Sequence, residues 1–310
     1  MIDFRYHLVT IVSVFLALTV GIVLGTTALR GPIQDTLSSN VTRLSSDKQG
    51  LQGDVSQLQG QVQAADRFAL AVAPTMVRDS LAGQRVLLVT TPQTPAALVD
   101  ALQPLLTSAG ASITGQLRLL PALSAPGSRQ LVDDLVAKVV PAGLTLPTGD
   151  PVPRAGAELA AALAVPPAGK GLGPDATRAI VSAFQEADLV QYVPKARGVA
   201  GATLALVLAP ATLADAGQSA ALLSTAAALD DRSSGTVVAT PGATSSSGSL
   251  LAALRKDSGL AAGVSTVDNI DQGIGQVAAI LALAEQAKGR TGQYGAGPDT
   301  NGPLPAAGPS

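Results

Sequence analysis

Residues 8–29, LVTIVSVFLALTVGIVLGTTAL, form a run of 22 without a single charge. At a helical rise of 1.5 Å per residue such a run reaches about 33 Å, enough to cross a bilayer core. It constrains the rest of the chain, because nearly everything after it must fold as one soluble unit on one side of a membrane. The leader 1–7 carries Arg5 and His7. Positive charge beside a span tends to stay cytoplasmic, and long following domains translocate largely regardless of charge. The expected topology is therefore a single-pass cell-membrane protein with its N-terminus cytoplasmic and its domain outside. Phe4 and Tyr6 suit the interfacial belt. A cleaved secretory signal is the competing reading, since Thr26-Thr27-Ala28 offers small residues to a peptidase. Signal cores are shorter, about 7–15 residues. Within the span, Gly21 and Gly25 make a G-x-x-x-G, which lets two apolar helices approach closely.

After Gly31-Pro32 the aliphatics become sparse and fall into register. Leu37, Leu44, Leu51, Leu58 and Ala65 are seven apart, and Val41, Lys48, Val55 and Val62 occupy the complementary series. With the valines at a and the leucines at d, residues 33–67 read as a coiled-coil stalk. β-Branched a and Leu d favour a parallel pair of helices, and a lone Lys at a fixes register at some cost. Gly50, Gly53 and Gly60 each weaken an isolated helix by up to ~1 kcal/mol relative to Ala. The alternative is one amphipathic helix packed back on its own domain. The expected partners are the membrane, a second copy or higher oligomer through the span and stalk, and other envelope proteins.

Residues 85–288 alternate short aliphatic runs with helical patterns. Strands are expected at 85–90, 112–119, 189–192, 203–209, 236–240 and 264–267. Helices are expected at 94–109, 175–187, 215–230, 249–258 and 273–288. This alternation predicts an α/β, Rossmann-like domain, a parallel sheet with helices on both faces. Nine of the 21 prolines lie in 121–174. That stretch reads as a Pro-rich insertion with short helices near 128–140 and 154–164. The tail 289–310 is rich in Gly and Pro and is expected to be disordered or only loosely docked.

The inventory narrows the chemistry. There is no cysteine, one histidine (His7, before the span) and two methionines, Met1 and Met76. Thiol chemistry, Ser-His-Asp catalysis and Cys or His metal sites in the domain are therefore not expected. Seven aromatic residues cannot furnish the girdles of an outer-membrane barrel. A net charge of −2 leaves no electrostatic footprint for nucleic acid. No nucleophile–base pair stands out, and no enzyme is expected.

The remaining candidates each have a plainer reading. Gly273-Ile-Gly275-Gln-Val-Ala278 and Gly171-Leu-Gly173-Pro-Asp-Ala176 fit a dinucleotide pattern, but the helix of the first runs straight into the tail, Pro166-Pro167 replaces the strand before the second, and close helix packing explains them. The loop 241–249, PGATSSSGS, could hold an anion or simply end in an N-cap Ser. Asp268 and Asp271 could bind a hard cation, or cap the helix that follows. Asp133-Asp134 and Asp230-Asp231 read as solvated faces. Tyr294, in Gly292-Gln-Tyr-Gly295, could anchor the tail or bind a partner.

The opening DFRYHLVTIVSVFLALTVGIVLG closely resembles the start of the actinobacterial copper transport protein family MctB. The resemblance continues through the stalk and strand 85–90, and returns in VSTVDNID at 264–271 and in the Gly-Gln-Tyr-Gly segment with Leu304-Pro305. It implies a role in copper homeostasis, lowering intracellular copper, with copper as a transported ion and no bound cofactor. It brings no catalytic or metal-binding residue to a position here. The family's outer-membrane name sits awkwardly with one apolar helix and no barrel pattern. A copper role is thus expected to run through oligomerisation or partners.

Overall fold

The computed structural model describes residues 3–167, 169–195, 201–213, 215–242 and 249–306, with the side chains of 3–4 and 27–38 left aside. The chain divides into two units, Met1–Ala64 and Ala65–Ser310.

The described residues of the first unit lie within helix α1, Asp3–Met76. The helix runs on through Gly31-Pro32, where the sequence suggests a break between span and stalk. Its segment Arg5–Thr26 is long and apolar enough to cross a membrane, with mean hydropathy 2.6. Hydroxyls there bond back to the preceding turn: Thr10 donates to the Tyr6 carbonyl at 2.9 Å, Ser13 to that of Val9 at 2.8 Å and Thr19 to that of Phe15 at 2.6 Å. Such bonds satisfy these three hydroxyls within the helix itself.

The second unit holds a seven-stranded sheet, β1 Arg85–Thr90, β2 Ser112–Leu119, β3 Val190–Pro194, β4 Leu204–Leu208, β5 Thr236–Ala239, β6 Ser265–Val267 and β7 Gln293–Tyr294. The strand order is β3-β2-β1-β4-β5-β6-β7. All neighbours are parallel except β2 and β3, which run antiparallel. The expected parallel sheet thus gains an antiparallel edge. Β3 follows a helix that delivers the chain to the far end of β2.

Side chains alternate between two cores, as a pleated strand requires. Leu87, Val89, Ala205, Val207 and Val238 face one; Val86, Leu88, Leu204, Leu206 and Val237 face the other. The first core is covered by α3 Arg129–Val139, α4 Pro151–Leu163, α5 Pro174–Glu186, α6 Ala216–Asp231 and α7 Leu250–Lys256, the last followed by the short α8 Ser258–Gly263. The second is covered by the end of α1, α2 Ala96–Ser108 and α9 Gly273–Gln286.

The Pro-rich stretch 121–174 carries its expected short helices as α3 and α4, which bury Val132, Val136, Ala155 and Leu159 in the first core. Its prolines serve as helix starters, with Pro151 and Pro174 each in a first turn, where a missing N–H costs nothing. The tail is not disordered over 289–306. It forms β7, and Tyr294 is buried in the second core. Residues 307–310 lie outside the described residues.

Candidate functional site

A doubly wound sheet presents ligands at the carboxyl ends of its strands, where the strand order reverses. Here that point lies between β1 and β4, and hydroxyls close it. The Thr91 amide donates to Thr94 Oγ1 at 3.1 Å, and that hydroxyl donates to the Leu208 carbonyl at 2.8 Å, tying β1 to β4. The adjacent cavity, lined by Thr91, Leu119, Ser124, Gln218 and Leu222 among others, measures about 20 Å³. That is room for about one water molecule.

The most elaborate polar cluster sits farther along the same edge, at β6 and β7. Asp268 follows β6 and is fully buried. Its Oδ1 accepts the amides of Ala296 at 2.6 Å and Gly297 at 3.3 Å. Its Oδ2 meets both terminal nitrogens of Arg255 at 3.3 Å. Arg255, at the end of α7, also donates from Nε to Thr266 Oγ1 at 2.9 Å and from Nη2 to the Tyr294 carbonyl at 3.2 Å. The Asp268 amide donates to the same carbonyl at 3.1 Å. Gly295 closes the cluster with φ +131°, and a Cβ there would stand 2.0 Å from Asp268 Oδ1. Only glycine fits. Beyond it, the Gly295 amide donates to the Gly302 carbonyl at 3.0 Å, and the Gln293 amide to Asn301 Oδ1 at 2.7 Å. The carboxylate therefore spends its charge on a guanidinium and two amides. This geometry clamps the tail to the sheet.

Asp271 points elsewhere, its Oδ1 accepting the Gly242 amide at 2.9 Å. Asp268 and Asp271 are thus engaged by different segments, the tail and the loop after β5. Neither caps α9, contrary to the plainer expectation. The N-cap of α9 is Gln272, whose side chain makes no capping bond. The carboxylate of Asp66, on α1, takes the Gly273 amide instead. Gly273 and Gly275 mark close packing rather than a phosphate cradle: a Cβ on Gly273 would meet Leu70 at 2.7 Å, and one on Gly275 the Asn269 carbonyl at 2.0 Å. In the other glycine pattern, a Cβ on Gly171 would meet Val165 at 2.9 Å. Ser249 caps α7 by accepting the Ala252 amide at 3.2 Å, while residues 243–248 of that loop lie outside the described residues.

Asp133 is paired with Arg154, and Asp230 is not a solvated carboxylate. Asp230 accepts the Thr236 amide at 2.9 Å, and burial raises its pKa to about 6 against that bond. Glu158 on α4 is fully buried, and neither of its oxygens has a hydrogen-bond partner. Burial lifts it to about 7, with the Arg154 charge opposing. The sequence carries no signal for Glu158 or for the Arg255–Asp268 pair, since both arise from tertiary enclosure.

The residues expected to mediate self-association lie in the first unit. Val41, Leu44, Leu51, Val55, Leu58 and Val62 are all 51–65% exposed along α1, with Lys48 among them. The Leu37 side chain lies outside the described side chains. Gly21 and Gly25 face open space, with nothing within 4 Å of a Cβ built on either.

Residues 1–305 match the sequence model of the family described as "Copper transport outer membrane protein, MctB". The chain belongs to the MctB family. It is 33% identical over 312 residues to the copper transporter MctB of Mycobacterium tuberculosis, covering 96% of this chain and 97% of that protein. The copper transporter MctB of Mycobacterium leprae is 32% identical over 316 residues, with the same coverage. In this MctB-family chain, VSTVDNID at 264–271 and Gly-Gln-Tyr-Gly at 292–295 meet in the cluster around Asp268. Two segments that carried the resemblance separately turn out to be one structure.

Proposed function

We propose that this chain is a membrane-anchored envelope protein of copper homeostasis that lowers intracellular copper and acts as an oligomer or with partners. The observation that carries the copper role is the family match over residues 1–305, supported by relatives named copper transporters at full length. The anchor is the span Arg5–Thr26, with the N-terminus cytoplasmic and the α/β domain outside. The reading makes no use of a resident cofactor or of enzymatic chemistry. With no cysteine, and with His7 and Met1 both ahead of the span, the domain has only Met76 as a soft ligand. Thiolate and imidazole are the side chains that favour tight copper binding. Copper movement would therefore depend on assembly rather than on a private binding site.

The decisive experiment measures cell-associated copper by elemental mass spectrometry in a deletion strain and its complemented parent under copper challenge. Accumulation that this gene reverses supports the proposal. Equal copper in both strains overturns it.

A second reading rests on the exposed aliphatic stripe of α1. It is a tethered parallel dimer that displays the α/β domain to another envelope component, with no direct metal role. Six aliphatic side chains, each more than half exposed at heptad spacing, are an apolar surface that a second copy would cover. Light scattering from the detergent-solubilised chain tests it. A dimer that Leu44→Asp dissociates is expected; a monomer in both forms sinks it. The two readings are compatible, one describing physiology and the other assembly.

A further inference from the structure

Resting on the parallel-dimer reading, we propose that Lys48 of each chain forms an ion pair with Asp47 of the second copy, and that this charged layer sets an in-register two-stranded stalk.

Lys48 has no acidic side chain one helical turn away on its own helix. It sits at an a position between Val41 and Val55, so a second helix at this seam would cover its side chain. On one helix only residues three or four apart meet. For Lys48 these are Leu44, Ser45, Leu51 and Gln52, and none is acidic. Its neighbour Asp47 is one residue away, on a different face of the same helix. Among the described residues, Lys48 makes no ion pair within its own chain. A cation carried into a closing seam without a partner would oppose association.

A second copy resolves this. In a parallel coil an a side chain enters a hole of four residues that includes the preceding g residue of the facing helix. For Lys48 that residue is Asp47. Two-fold symmetry makes the contact twice, once in each direction. Sliding one helix by a heptad puts Lys48 beside Asn40 or Asp54 and opposite a valine, so only the in-register arrangement pairs both lysines with each other's flanking carboxylates. Arg43, four residues before Asp47, is the one cation of the same helix that competes, and it stands at the outer c position.

The glycines agree with this assignment of faces. Gly50 falls at c, and Gly53 and Gly60 at f, all away from the seam. A Cβ built on any of them meets nothing within 4 Å. Residues that would leave holes in a buried seam are confined to its solvent side.

The absence of native cysteine allows a direct test. Leu51→Cys in the full chain, in native membranes under mild oxidant, should cross-link to a dimer, because d positions of a parallel in-register pair face each other. In that background, Asp47→Lys and Lys48→Asp should each weaken dimer cross-linking, by about tenfold at limiting expression, since each turns two attractions into two repulsions. The double exchange Asp47→Lys with Lys48→Asp should restore it, since the pair is rebuilt with opposite polarity. If the parent Leu51→Cys chain gives no cross-link, the dimer reading fails and this proposal with it. If it cross-links but the single exchanges change nothing, or the double exchange is no better than the singles, the dimer stands and the Lys48–Asp47 pair is overturned.

Discussion

Asp66, on the last turns of α1, caps α9 by accepting the Gly273 amide, 207 residues away in sequence. Leu70, one turn later, packs where a Gly273 side chain would lie, and Ala73 and Val77 continue the stripe into the second core. The helix that carries the heptads thus ends as a core element of the α/β domain, through a stripe offset from a and d. Capping side chains are ordinarily local, supplied by the residue that starts the helix. Here Gln272 makes no such bond, and a different helix supplies the oxygen.

Asp66→Ala should therefore destabilise the domain by about 0.5–2 kcal/mol, the usual cost of losing an N-cap oxygen. Thermal unfolding of the detergent-solubilised chain, followed by circular dichroism, checks this. Asp66→Asn should recover most of the loss, since an amide oxygen also accepts from Gly273.

Gly295→Ala introduces a methyl group against the Asp268 carboxylate at a backbone angle that L-residues avoid. The expected outcome is release of the tail, read as faster hydrogen exchange over residues 292–302 with the β1–β4 amides unchanged. Arg255→Leu attacks the same cluster from the other side. It takes the guanidinium away from the buried Asp268 carboxylate, and should cost about 3–5 kcal/mol.

Glu158 makes a pH-dependent prediction. Burial raises its pKa from 4.5 to about 7 in the folded chain. The folded state therefore holds a proton that the unfolded state releases earlier. Its contribution to stability is most favourable below pH 4.5, declines as pH rises toward 7, and is a constant penalty above that. Glu158→Gln removes the penalty. It should stabilise the protein at pH 8 by on the order of 1–2 kcal/mol and change little at pH 4.5. A denaturant series at the two pH values checks it; an equal effect at both would show that packing, not ionisation, governs the site.

Gly53→Ala and Gly60→Ala lie on open helix surface and should each stabilise the stalk by up to ~1 kcal/mol without altering its assembly. Unfolding monitored by helical circular dichroism, alongside light scattering, distinguishes greater helicity from a change in oligomer size.

The strands and helices of the second unit were legible because aliphatic periodicity is a local property. Each expected strand has its counterpart, from Arg85–Thr90 to Ser265–Val267. The direction of β3 was not legible, since Val190–Pro194 reads the same whichever way it pairs. The tail misled because its composition is that of a linker. What orders it is the Asp268 carboxylate, which binds the backbone amides of Ala296 and Gly297 and so leaves no trace in side-chain pattern. In 121–174 the helical patterns near 128–140 and 154–164 were legible despite the prolines, and Pro151 begins α4. Asp268 was visible as a candidate, but its partner Arg255 was not, because a helix ending in Arg-Lys is what any exposed helix shows.

Strand β7 makes the packing of the β6 edge depend on residues that follow α9 in sequence. The strand comes after α9, and the Asp268 cradle takes its last two amides from Ala296 and Gly297. A polypeptide interrupted between Gln286 and Gln293 would carry α1 to α9 and β1 to β6, yet leave the Asp268 carboxylate without the Ala296 and Gly297 amides. Its β6 would present an unpaired edge, the kind of edge that invites pairing with another chain, where Gln293–Tyr294 otherwise lies alongside.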